Sequence, residues 1–176
     1  LQIGDGALRP KVINLTPRPL GIKAGTLFAR QGEPVAEQAL VRDVMRSPLV
    51  KVLPTTPVSE VARLMVDNNV GSVVIVDEQD NLLGIVTKTD IVRETVAKGL
   101  PRNIPVGEIM TKNPYYVTDD ATLHEAAEIM GTHGIGHLPV LSRENMKPIG
   151  MISKRDIVRL APHLLELVYM LRSQRA

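Results

Sequence analysis

The chain has 176 residues, 44% of them hydrophobic, with no cysteine and a formal net charge of +2. The missing cysteine excludes disulfides, zinc–thiolate sites, iron–sulfur clusters and thiol catalysis. Acids and bases are interspersed rather than gathered in a stripe, which argues against nucleic acid as a partner, and no apolar run approaches the roughly 18 residues of a membrane span.

Residues 1–35 are rich in Gly and Pro, from Gly4 to Pro34, and carry no helical period. They read as an extended arm docked on the body or on a neighbouring subunit, with short strands at 11–15 and 26–29. A helical pattern follows from Val35 to Met45, and Pro48–Val52 reads as a short strand. Thr56-Pro57 reads as a helix start, a hydroxyl N-cap with Pro at the first helical position. Val58, Val61, Ala62 and Met65 then share one face, and the helix ends near Asn68-Asn69. The β-branched run from Ser72 to Asp77 is a buried strand, residues 78–81 a turn and Leu82–Val86 a second strand, after which Thr87 opens a helix to about Lys98.

The same order then repeats. Tyr115–Thr118 is a strand, 121–131 a helix with Leu123, Ala126, Ala127 and Met130 inward, His137–Leu141 and Pro148–Ile152 a strand pair, and Ser153 a helix start. Pro162 breaks that helix, and 163–173 reads as one more. The repetition is explicit in the residues. Gly84-Ile85-Val86-Thr87-Lys88-Thr89-Asp90-Ile91-Val92-Arg93 recurs as Gly150-Met151-Ile152-Ser153-Lys154-Arg155-Asp156-Ile157-Val158-Arg159, and Val41-Arg42-Asp43-Val44-Met45 as Val106-Gly107-Glu108-Ile109-Met110. Two copies are too few for a solenoid and fit two half-domains that bury one face against each other. The expected divisions are an arm (1–35), a first repeat (36–99), a linker (100–105), a second repeat (106–164) and a terminal helix (165–176). The fold class is α+β (mixed α/β), two β-α-β-β-α repeats packed as a pseudo-two-fold pair.

The Met opening each copy, the helix ending before Val70-Gly71 or Ile135-Gly136, the Leu138-Pro139-Val140 strand and the Gly-h-h-Thr/Ser-x-x-Asp ending together resemble the cystathionine-β-synthase (CBS) domain. Two in tandem resemble a CBS pair, or Bateman module, over about residues 36–164. The resemblance implies two clefts between the copies, each able to take an adenosine derivative, with the motif Asp on the ribose and the motif hydroxyl near a phosphate. Carried over, the first site comprises Pro48, Leu49, Val50, Thr87, Lys88 and Asp90. The second comprises Pro114, Tyr115, Tyr116, His137, Ser153, Lys154, Arg155 and Asp156.

The residues support this chemistry without the name. A carboxylate accepts from both vicinal hydroxyls of a ribose, and a hydrogen bond to a charged group is worth about 1.5–3 kcal/mol. Thr87 and Ser153 stand at helix N-termini, where free N–H groups and the helix dipole favour anions. Arg155 stands where the first copy has Thr89, so the clefts should differ in phosphate preference. His137 is a candidate phosphate contact, and the Tyr115-Tyr116 pair a candidate purine platform. The competing reading is that hydroxyl-x-x-Asp is only a capping box that starts a helix.

No catalytic constellation is present. The two glycines of His133-Gly134-Ile135-Gly136-His137 deny the histidines a shared helix face, so no metal site is expected. The expectation is a non-catalytic, cytoplasmic sensor of AMP, ADP, ATP or S-adenosylmethionine with no required cofactor. It would be a homodimer through the 58–66 and 123–130 helices, acting on a regulated protein partner. The alternatives are a structural oligomerisation module with vestigial clefts and a nucleic-acid-associated protein.

Overall fold

The computed structural model describes residues 39–160 together with Leu165 and Tyr169. The expected arm, its two strands and most of the final helix lie outside them; Leu165 and Tyr169 are helical.

The β-branched run behaves as its composition requires. All five residues of β2 (Ser72–Val76) are buried. Successive strand side chains point to opposite faces, so burial throughout needs cover on both sides. Val73 and Ile75 pack against Val58, Val61 and Met65 of helix α2 (Val58–Asp67). Val74 and Val76 pack instead against Tyr116, Leu141 and Met151 of the second repeat. The molecule is therefore layered as helices, sheet, sheet, helices.

In the first sheet, β1 (Lys51–Val52) lies parallel to β2, which forms an antiparallel hairpin with β3 (Leu82–Thr87). The second sheet repeats this with β5 (Val117–Thr118), β6 (His137–Leu141) and β7 (Pro148–Ser153). Helix α4 (Leu123–His133) joins its parallel strands, as α2 does in the first. Lys147 Nζ donates to Gln79 O at 2.5 Å and Asn81 Oδ1 at 2.7 Å, tying the two hairpin turns together.

The opening segments are exchanged between the repeats. Strand β4 (Thr111–Lys112), which begins the second repeat, pairs with β3 and makes the first sheet four-stranded rather than three-stranded. In return Arg46 forms a bridge to Met151 on β7. Val106 is fully buried in the first repeat's core, and Val41 in the second's. Backbone bonds from Val41 N to Ala121 O (2.7 Å) and from Val106 N to Thr56 O (2.8 Å) seat the two segments symmetrically.

This exchange accounts for two sequence signals. A Cβ on Gly84 would lie 2.6 Å from Met110 Sδ and 3.0 Å from Thr111 O, and one on Gly150 would collide with Met45 Sδ. The Met that opens each repeat lies on the Gly of the other repeat's last strand. That close approach is the reason for both residues.

Several boundaries differ from the sequence reading. The described part of the 35–45 helix is one turn, α1 (Val41–Val44), because Leu40 is drawn into a bridge with Thr122. Pro57, not Thr56, precedes the first turn of α2, with no side-chain cap. Only Lys51–Val52 and Val117–Thr118 of the longer strands expected there are paired. The helix from Thr87 is α3 (Lys88–Ile91) followed by a π turn over Val92–Val96. Helix α4 starts later and runs to His133, because Thr122 and Glu125 form a capping box and Gly134, at φ 64°, ends it.

Candidate functional site

Each repeat's motif sits where its last strand hands over to a helix. Thr87 keeps an extended backbone (φ −112°, ψ 165°) and caps α3. Its Oγ1 accepts from Asp90 N at 3.2 Å, while its N and Oγ1 donate to Asp90 Oδ2 at 2.9 and 2.7 Å. Ser153 and Asp156 repeat this at the start of α5 (Lys154–Leu160), with N and Oγ donating to Asp156 Oδ2 at 2.9 and 2.5 Å. In both repeats the capping box is formed, and it uses one carboxylate oxygen.

The other oxygen distinguishes the two motifs. Asp90 Oδ1 accepts from Arg93 Nη2 at 2.6 Å, within its own helix turn. Among the described residues, Asp156 Oδ1 receives only a 3.4 Å contact from Arg46 Nε, at the long limit of a hydrogen bond. Arg46 comes from the first repeat's opening segment and is half-exposed. Arg159, the counterpart of Arg93, forms no ion pair among the described residues.

A cleft of about 730 Å³ opens beside Asp156. Its walls come from both repeats: Pro48, Leu49 and Val50 with residues 69–72 and Lys88 on one side, and His137, Met151 and Ser153–Asp156 on the other. The wall is aliphatic at Leu49, Val50, Val70 and Met151, as a flat ring system needs, and polar at the motif end. Among the described residues, Arg46, Lys88, Lys154, Arg155 and Arg159 bring five cationic side chains to the lining, against the single carboxylate of Asp156. Such a wall attracts an anion.

His137 reaches the cleft from the start of β6. Gly71 makes the room, since a Cβ there would lie 3.1 Å from His137 Nε2. Burial holds this imidazole below its ordinary value, opposed by the charge of Asp156 and reinforced by Arg46.

The structure thus brings together Pro48, Leu49, Val50 and Lys88 with His137, Ser153, Lys154, Arg155 and Asp156, across the grouping made from sequence. Arg46 explains the crossing. Because it bridges to β7, the chain after it begins at the second repeat's edge before entering β1. Thr87 and Asp90 do not line this cleft, and neither do Pro114, Tyr115 and Tyr116. Tyr115 stacks on His133, with centroids 3.8 Å apart, and Tyr116 is buried between the sheets. Arg46 and Arg159 were missed by sequence reasoning. Arg159 closes the repeated motif and so carried a signal; Arg46 stands where the second repeat has Thr111 and carried none. No metal-binding cluster occurs among the described residues, and none of their helices is long and apolar enough to cross a membrane.

Known proteins resemble this chain in sequence and fold. A profile of the CBS domain matches residues 41–97 and 106–163. A 17.7 kDa protein of Acidianus ambivalens is 34% identical over 119 residues, 68% of this chain and 71% of the relative. A CBS domain protein from Pyrobaculum aerophilum, solved in complex with AMP, superposes with a TM-score of 0.67 at 30% identity, over 73% of this chain and 98% of that one. The CBS domain pair of MJ0100, solved with 5′-methylthioadenosine and S-adenosyl-L-methionine, gives 0.65 at 27% identity, over 71% and 97%.

Proposed function

The chain belongs to the CBS domain family, and on that premise we propose that it is a non-catalytic regulatory module that binds an adenosine ligand in the cleft beside Asp156. The observation that carries this is the second oxygen of Asp156. Asp156 lines an aliphatic, two-repeat cleft, and among the described residues this oxygen is held only by a long contact to Arg46. A ribose with two vicinal hydroxyls can replace that contact with two shorter ones. The base would lie between Leu49, Val50 and Met151, and a phosphate would face the cationic end. Neighbours of this fold bind AMP, 5′-methylthioadenosine and S-adenosylmethionine, which supports an adenosyl ligand here.

Occupancy becomes a signal because the cleft is built from both repeats. A ligand gripping them shifts whatever equilibrium exists between their arrangements by its differential affinity. A protein partner and a homodimer through the outer faces of α2 and α4, where Val66 is exposed, would read that shift. The Asp90 motif has both carboxylate oxygens engaged and is best read as a helix cap.

Thermal unfolding across a panel of AMP, ADP, ATP and S-adenosylmethionine tests this. A ligand at about a hundredfold over its Kd adds about 2.7 kcal/mol, hence a rise of roughly 5–10 °C. We expect the rise in the natural chain and in Asp90→Asn, and its loss in Asp156→Asn. No shift with any of the four would count against a sensor and favour a structural module.

A further inference from the structure

We infer that the Asp156 cleft is selective for nucleoside polyphosphates over uncharged or cationic adenosyl ligands, and that Arg155 and Arg159 set this preference. The inference rests on the adenosine-binding reading above and goes on to name the ligand class. Among the described residues the lining carries five cationic groups and one carboxylate, and that carboxylate is assigned to the sugar. Among the described residues, the lining holds no second carboxylate to neutralise a sulfonium. A phosphate chain would instead meet like-signed groups of the opposite charge to its own.

Three observations place the preference on these arginines. Arg155 stands where the first repeat has Thr89, so this charge belongs to one cleft only. Arg93 is spent on Asp90 at 2.6 Å, whereas its counterpart Arg159 pairs with no carboxylate among the described residues. A second cavity of about 400 Å³ shares Arg46, Asp156 and Arg159 with the cleft and adds the carboxylate of Asp43 to its lining. The space past Asp156 therefore continues along Arg159, where an extended anion would meet two guanidinium groups, Arg46 and Arg159, together with the opposing carboxylate of Asp43. Guanidinium groups also match phosphate oxygens two at a time, which ammonium groups do not.

Calorimetric titration of the full chain with 5′-methylthioadenosine, S-adenosylmethionine, AMP, ADP and ATP reads this directly. Affinity should climb from the thioether through AMP to ATP, with ATP at least about tenfold tighter than 5′-methylthioadenosine, the equivalent of one charge-assisted contact. Raising the salt should compress the ladder while leaving 5′-methylthioadenosine unchanged. The double variant Arg155→Ala/Arg159→Ala should flatten the ladder and keep 5′-methylthioadenosine binding, which also shows that the variant folds. Equal or tighter binding of 5′-methylthioadenosine or S-adenosylmethionine overturns the polyphosphate inference alone, as does a ladder that survives the double variant. Binding by none of the five overturns the adenosine reading and this inference with it.

Discussion

Two carboxylates in corresponding motifs have been given different surroundings. Asp90 and Asp156 each use one oxygen to close a capping box, and only the second differs: Arg93 engages one, and distant Arg46 weakly approaches the other. The motifs were legible in sequence because a hydroxyl three residues before an Asp is a local arrangement. The asymmetry was not, because the Arg46–Asp156 contact spans 110 residues. His137 gives this scale its own test. Burial lowers its folded-state value below the 6.5 of an unperturbed histidine. Between those two values the unfolded chain binds the proton more readily, so stability rises with pH there. The contribution of neutral His137 is whole above about pH 6.5 and is lost as pH falls through that window. Denaturant unfolding at a series of pH values should show this step in the natural chain and its loss in His137→Gln.

At the scale of elements, the hairpins and the α2 and α4 patterns were legible because they depend on residues close in sequence. Short strands were over-read: Pro48 and Leu49 line a cleft instead of pairing, and Val50 reaches β2 only through its carbonyl, which accepts from Val74 N at 3.2 Å. Sheet completion was not legible at all, since β4 belongs in sequence to one repeat and in space to the other. The glycine in each Gly-h-h-hydroxyl run held the clue, unread without knowing what approaches it. Gly84→Ala would place a methyl 2.6 Å from Met110 Sδ and 3.0 Å from a backbone oxygen. Overpacking of this kind costs about 1–3 kcal/mol. Pairing it with Met110→Ala should cost less than the sum of the two single changes, since the residues share one space. Strict additivity in urea denaturation would contradict the contact.

For the whole molecule, the exchange makes each repeat's core incomplete alone. Val106 fills one core and Val41 the other, and a fully buried valine contributes about 1.5–3 kcal/mol. The two repeats should therefore unfold in one transition. Tyr115 stacks within the second repeat and Tyr116 lies between the sheets, so tyrosine fluorescence reports on the second repeat and its contact with the first, while far-ultraviolet circular dichroism reports on both. Their midpoints should coincide, and separated midpoints would mean the repeats are independent. The same exchange delivers Arg46 and the Pro48–Val50 wall to Asp156, so architecture and candidate site have one origin. The most direct test is a crystal structure of the chain grown with AMP. It should show the ribose hydroxyls on Asp156 Oδ1, the base against Leu49 and Val50, and Arg46 moved off the carboxylate. A vacant cleft at saturating AMP, or a nucleotide seated at Asp90 instead, would contradict the account.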